Sequence, residues 1–117
     1  MVSKQHFARY ALIAALVLVF GFFGIDKFLN PLLWIGWIPT WMEGLLGFTR
    51  ETWLQIIAAL EILLAAWLLI PIRRARQIAV VLMALHLVAV LTQTGWNDVG
   101  ARDTGLLLAS VALFLLL

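Results

Sequence analysis

The sequence predicts an all-α, polytopic membrane protein, and three observations carry that reading. Hydrophobic residues make up 65% and charged residues 12% of 117 positions, at a mean hydropathy of +1.08, a balance that excludes an ordinary water-soluble domain. Four apolar runs, at about 7–28, 52–70, 75–94 and 102–117, approach the roughly 20 residues that a helix needs to cross a bilayer. The charges gather at the ends of these runs, and they do so unequally. Lys4, Arg9, Arg73, Arg74 and Arg76 fall at one set of ends, whereas Lys27, Arg50 and Arg102 share the other with Asp26, Glu43, Glu51, Asp98 and Asp103. The expected architecture is an antiparallel four-transmembrane-helix bundle, a single domain over residues 1–117, with an interfacial or re-entrant segment between its first two helices. By the excess of Lys and Arg at the first set of ends, both termini are expected to be cytoplasmic.

The first run, Phe7 to Phe28, ends Phe-Gly-Phe-Phe-Gly-Ile-Asp-Lys rather than at the small residues of a signal-peptide cleavage site, so it reads as a retained helix. Gly21 and Gly24 near its far end let another backbone approach closely. From Leu29 to Phe48 the chain is too apolar for a water-exposed loop and too broken by Pro31, Gly36, Pro39 and Gly44 for a spanning helix. Trp34, Trp37 and Trp41 place it at the interface, where indole rings satisfy both an apolar body and a polar N–H. It reads as an interfacial anchor or as a lid. The second helix has Thr49 or Thr52 as its N-cap and Pro71 at its end. An Arg-rich turn leads to the third helix, which puts His86 and Gln93 on one face because they lie seven positions apart. The last run, counted from Thr104, would be only about 21 Å long at 1.5 Å per residue. It therefore starts near Asp98, stops inside the bilayer, or continues past Leu117.

The site reading starts from Glu61, at the midpoint of the second run. A carboxylate there costs roughly 2.5–3.5 kcal/mol on insertion scales and so marks a functional position by default. Counting about a dozen residues to either side of the Arg-rich turn puts Glu61 and His86 at one depth, close enough to touch in a helical hairpin. Gln93 lies two turns further out, and Lys27, Arg102 and Asp103 stand at the same outer level. These residues form a column opening toward Trp34, Trp37 and Trp41. Two uses are open: Glu61 and His86 exchange protons with a ligand held at the mouth by Arg102 or Lys27, or the polar groups clasp one another, Arg102 on Glu61, with no ligand. Asp103 has a cheaper role as a cap of the fourth helix. No residue is assigned as catalytic. No metal site is expected, because there are no cysteines and the two histidines lie at opposite ends of the chain. The pI of about 9.7 reflects membrane topology and not nucleic-acid binding.

Gly24-Ile25-Asp26-Lys27 closing the first helix, a Pro- and Trp-containing apolar connection, Glu61 within the second helix and Arg102-Asp103-Thr104-Gly105 opening a Leu/Ala-rich fourth helix together resemble the DoxX family of small membrane proteins. The resemblance spans almost the whole chain and rests on order and spacing rather than on any one motif. It singles out Lys27, Glu61, Arg102 and Asp103. It implies residence in a prokaryotic inner membrane, and membership of a redox complex that uses a quinone held without a covalent bond. It also implies a redox partner protein or a homo-oligomer. Whether such a chain is itself an enzyme is left open. Some relatives in that family work through cysteines, which this sequence lacks. Distant ones act as membrane scaffolds, assembly factors or chaperones for other membrane proteins, and that is the competing expectation.

Overall fold

Four long helices and one short one account for most of the chain in the computed structural model, which describes residues 3–117. They are α1 (Lys4–Leu29), α2 (Pro31–Trp34), α3 (Arg50–Leu68), α4 (Arg73–Thr94) and α5 (Asp98–Leu116), with three 3₁₀ turns between α2 and α3. No strand is present among the described residues. Each long helix is long and apolar enough to cross a bilayer, and only 22–33% of its most apolar window is buried inside the chain. The remainder, including Leu18, Phe22, Leu63, Leu85 and Leu115, faces outward. An apolar outer surface of this extent is stable against lipid and not against water.

Side-chain caps set the helix boundaries more closely than hydropathy does. Ser3 accepts from the His6 N–H and starts α1 three residues before the expected Phe7. Thr49, one of the two caps expected for this helix, accepts from the Thr52 N–H and starts α3 at Arg50, two residues before the expected 52. Asn97 accepts from the Gly100 N–H at 2.9 Å, so α5 begins at Asp98, the first of the three alternatives for the short last run, and not at 102; it reaches about 28 Å over its 19 residues. At the other end of α3 the helix stops at Leu68, before the expected Ile70, because Pro71 cannot continue the ladder. Without a side-chain cap, α4 begins at Arg73, two residues before the expected start.

The helices close a ring in which α1 packs on α3, α3 on α4, α4 on α5 and α5 on α1. Arg9 donates to the Leu116 carbonyl and Arg76 to the Leu68 carbonyl. These bonds tie the start of α1 to the end of α5 and the start of α4 to the end of α3, and the Arg76 guanidinium, 5.8 Å from the Tyr10 ring of α1, brings the two pairs to one Arg-rich end. Below the ring's midpoint a dry core of Leu16, Leu64, Leu68, Val80, Met83 and Leu113, each at most 2% exposed, fills the space between the helices. At the other end, Trp-containing residues 31–48 fold back over the ring. Arg50 holds them there by donating to the carbonyls of Ile35 and Ile38, and Trp53 adds a bond to the Leu45 carbonyl.

Candidate functional site

Glu61 is 8% exposed, on the face of α3 that also buries Leu54, Ala58, Leu64, Ala65 and Leu68. Small Ala58 and Ala65 above and below leave room for partners to reach the carboxylate. Lys27 Nζ lies 2.7 Å from Oε1, and His86 Nε2 lies 3.5 Å from Oε2. The lysine contact is short but falls outside hydrogen-bond angles, so it acts as an ion pair and Oε1 has no oriented donor. Lys27 reaches across from the last turn of α1 because that helix lies directly against α3. At Gly24 an added Cβ would sit 2.7 Å from Ile62 Cγ1 and 2.9 Å from the Ala58 carbonyl oxygen. The Lys27 ammonium also lies 4.3 Å from the Trp34 ring centroid, a cation–π arrangement that lowers the cost of keeping it out of water.

A second pair stands beside the first. Arg102 Nε and Nη2 both donate to Asp103 Oδ1, at 3.1 and 3.0 Å, and the guanidinium lies 4.5 Å from the Phe23 ring centroid. Asp103 is 3% exposed, more than a turn inside α5, and the capping role expected for it belongs to Asn97. The expected Arg102–Glu61 clasp is likewise replaced by Lys27–Glu61. Arg102 takes the carboxylate one residue away, and the lysine's long stem reaches the deeper one. Neither cation stands free at a mouth.

Between these pairs lies a cavity of about 310 Å³. All nine residues singled out from the sequence line it: Lys27, Trp34, Trp37, Trp41, Glu61, His86, Gln93, Arg102 and Asp103. Trp34 donates to Asp26 at 2.7 Å, and Trp41 donates to Gln93 Oε1 at 3.1 Å. Those bonds pin the Trp-rich segment to α1 on one side and to α4 on the other. Trp37 lines the cavity at 42% exposure. Among the described residues, no group of three or more His, Asp or Glu side chains is gathered to hold a metal ion.

Residues 15–111 match the family described as a domain of unknown function, DUF8561. The chain belongs to this family. The DUF8561 match contains every residue that lines the cavity, from Val19 to Leu106. No curated protein and no solved structure matches the chain.

Several residues in the cavity of this DUF8561 chain, or holding its cover, escape a reading that looks for polar outliers. Phe20 and Phe23 form the α1 wall, with the Phe20 ring 5.9 Å from the His86 ring. Their signal was present in the spacing, because positions 20 and 23 share one helical face with Lys27. Asp26, the acceptor for both Trp34 and Asn30, enters the sequence reading as a charge and as part of the Gly24–Lys27 motif, without its role as an anchor for the Trp-rich segment. Thr94 places a buried hydroxyl with no partner beside the cavity, and Arg50 acts at a distance by holding the covering segment.

Proposed function

We propose that the chain is a membrane subunit whose cavity holds a quinone-like head group, within a quinone-linked redox complex of the kind that the DoxX resemblance implies. The observation that carries this reading is the cavity itself. Aromatic and aliphatic walls enclose a small number of convergent polar groups, the usual composition of a small-molecule site, and the volume lies at the lower end of the range for such sites. That volume suits a ring-sized head group, with any tail lying outside among the lipid chains.

The residues fit such a group. Arg102, partly exposed at the rim, has guanidinium N–H groups beyond the two spent on Asp103 and can donate one to a carbonyl. His86 can donate or accept, and Glu61 beside it can hold or release a proton. Trp34, Trp37 and Trp41 cover the ring face. A bound quinone supplies reversible two-electron, two-proton chemistry, and the electrons come from a redox partner protein, since this chain has no cysteine to pass them. In the arrangement proposed here the four long helices run antiparallel across the inner membrane with both termini cytoplasmic. The segment 31–48 then lies at the outer surface as an interfacial cover.

A second reading, an assembly factor or scaffold for other membrane proteins, draws on one observation. Lys27 is already paired with Glu61, and Arg102 with Asp103, so the cluster is self-sufficient as a clasp. Titration of a soluble, short-tailed quinone analogue against tryptophan fluorescence separates the two. The ligand reading requires saturable quenching in the wild type and a markedly weaker midpoint in Arg102→Leu. Equal, unsaturable quenching in both would leave only the clasp.

A further inference from the structure

A second concavity lies on the opposite half of the molecule, on the outer side of the seam where α4 packs on α5, with a volume of about 240 Å³. Its α4 wall is one helical stripe, because positions 74, 77, 78, 81 and 82 recur at spacings of three and four. The stripe is graded in polarity. Arg74 and Gln77 stand at the Arg-rich end, Ile78, Val81 and Leu82 follow over the next two turns, and Phe114 of α5 closes the far wall. From Arg74 to Leu82 the groove runs about 12 Å along the helix axis.

Five cations, Lys4, Arg9, Arg73, Arg74 and Arg76, occupy this end, and all six acidic residues of the chain lie elsewhere. Arg9 and Arg76 are turned inward onto carbonyls. Arg74 is exposed and has neither an ion pair nor a side-chain hydrogen bond among the described residues. The groove therefore presents an uncompensated guanidinium at the level of the membrane surface and an apolar slot directly beneath it. That order of polarity matches an amphiphile with a negative head and a hydrocarbon chain. Clustered Lys and Arg beside a span attract anionic head groups, and a guanidinium fork suits phosphate oxygens.

We infer that this groove is a binding site for one anionic phospholipid, its phosphate on Arg74 and an acyl chain along Ile78, Val81, Leu82 and Phe114. The site shares no residue with the quinone cavity, and it stands or falls independently of that proposal. Arg73, equally exposed on the neighbouring position but outside the groove, is the internal control for charge alone.

The test uses the full chain in mild detergent with added phosphatidylglycerol or phosphatidylcholine, bound lipid being counted by native mass spectrometry. The wild type is expected to retain one phosphatidylglycerol in preference to phosphatidylcholine. Arg74→Gln should weaken that retention roughly fivefold or more, the loss of one charge contact near the surface, while Arg73→Gln stays within about twofold. Phe114→Ala should weaken retention of both lipids and leave the head-group preference in place. Equal losses in Arg73→Gln and Arg74→Gln would reduce the site to diffuse attraction by the basic end. Equal retention of the two lipids, or displacement of phosphatidylglycerol by millimolar inorganic phosphate, would also overturn it. Wild-type elution and melting temperature in each variant exclude misfolding as the cause.

Discussion

Replacing Lys27 by methionine should destabilise the protein by about 3–5 kcal/mol, and the reason lies in the balance of terms around Glu61. At the 2.7 Å separation of Nζ and Oε1, two unit charges attract by about 6 kcal/mol at an effective dielectric constant near 20. Withdrawing each ion from water costs several kcal/mol, so the intact pair contributes little net stability. Removing one partner forfeits the attraction and leaves the cost of the other in place. His86, at 3.5 Å on the other oxygen, is too distant to replace the lysine. The double variant Lys27→Met/Glu61→Leu should therefore recover to within about 1 kcal/mol of wild type, since both costs vanish together. Equilibrium unfolding in mixed micelles, followed by tryptophan fluorescence, reads all three proteins. If Lys27→Met lies within 0.5 kcal/mol of wild type, or the double variant is as unstable as the single, Glu61 is not held as a charged group by this lysine.

Three further outcomes are expected. His86→Leu should cost about 0.6 kcal/mol, the usual scale of a polar contact between membrane helices, and should exceed Leu85→Ala, whose side chain is largely exposed; the reverse order in a detergent melt would mean that His86 has no buried partner. Gly24→Ala should destabilise by about 1–3 kcal/mol, because its Cβ collides with α3. Gly105→Ala, with open space around it, should instead stabilise by a few tenths to about 1 kcal/mol, and equal effects in the two would show that α1 does not rest on α3 at Gly24. A reporter fused after Leu117 should be active in the cytoplasm, and activity on the far side of the membrane would reject the proposed orientation.

The four long helices were legible because an apolar run of spanning length has few other fates, and their ends were less so because a cap lies outside the run that hydropathy detects. Ser3 and Asn97 each begin a helix before its apolar face starts, whereas Thr49, a threonine shortly before an apolar run, was readable as a cap. The cavity residues were legible for a related reason: a carboxylate, an imidazole or a guanidinium between apolar turns stands out, and depth can be counted from the nearest turn. Which cation meets which carboxylate was not legible. That depends on how closely α1 approaches α3, set by the single missing Cβ at Gly24, and on Arg102 having Asp103 within one residue. The details of 31–48 were hidden as well, because its position rests on Arg50 reaching back to the carbonyls of Ile35 and Ile38, a contact with no periodicity to reveal it.

The two halves of the ring differ in a way that limits how any ligand or proton reaches Glu61. Toward the Arg-rich end the centre is closed by Leu16, Leu64, Leu68, Val80, Met83 and Leu113, and Ser110, the polar residue buried at that level, spends its hydroxyl on the carbonyls of Leu106 and Leu107 in its own helix. Among the described residues no side-chain hydrogen bond links the Glu61–His86 pair to Ser110 across that plug. Toward the other end the walls are Trp34, Trp37 and Trp41, joined to the ring through Asp26 and Gln93. Opening those two hydrogen bonds loosens the Trp34 and Trp41 contacts while Arg50 still holds the segment through the Ile35 and Ile38 carbonyls, whereas opening the plug would dismantle the core. The cavity beside Glu61 therefore borders the Trp-rich end and not the plug.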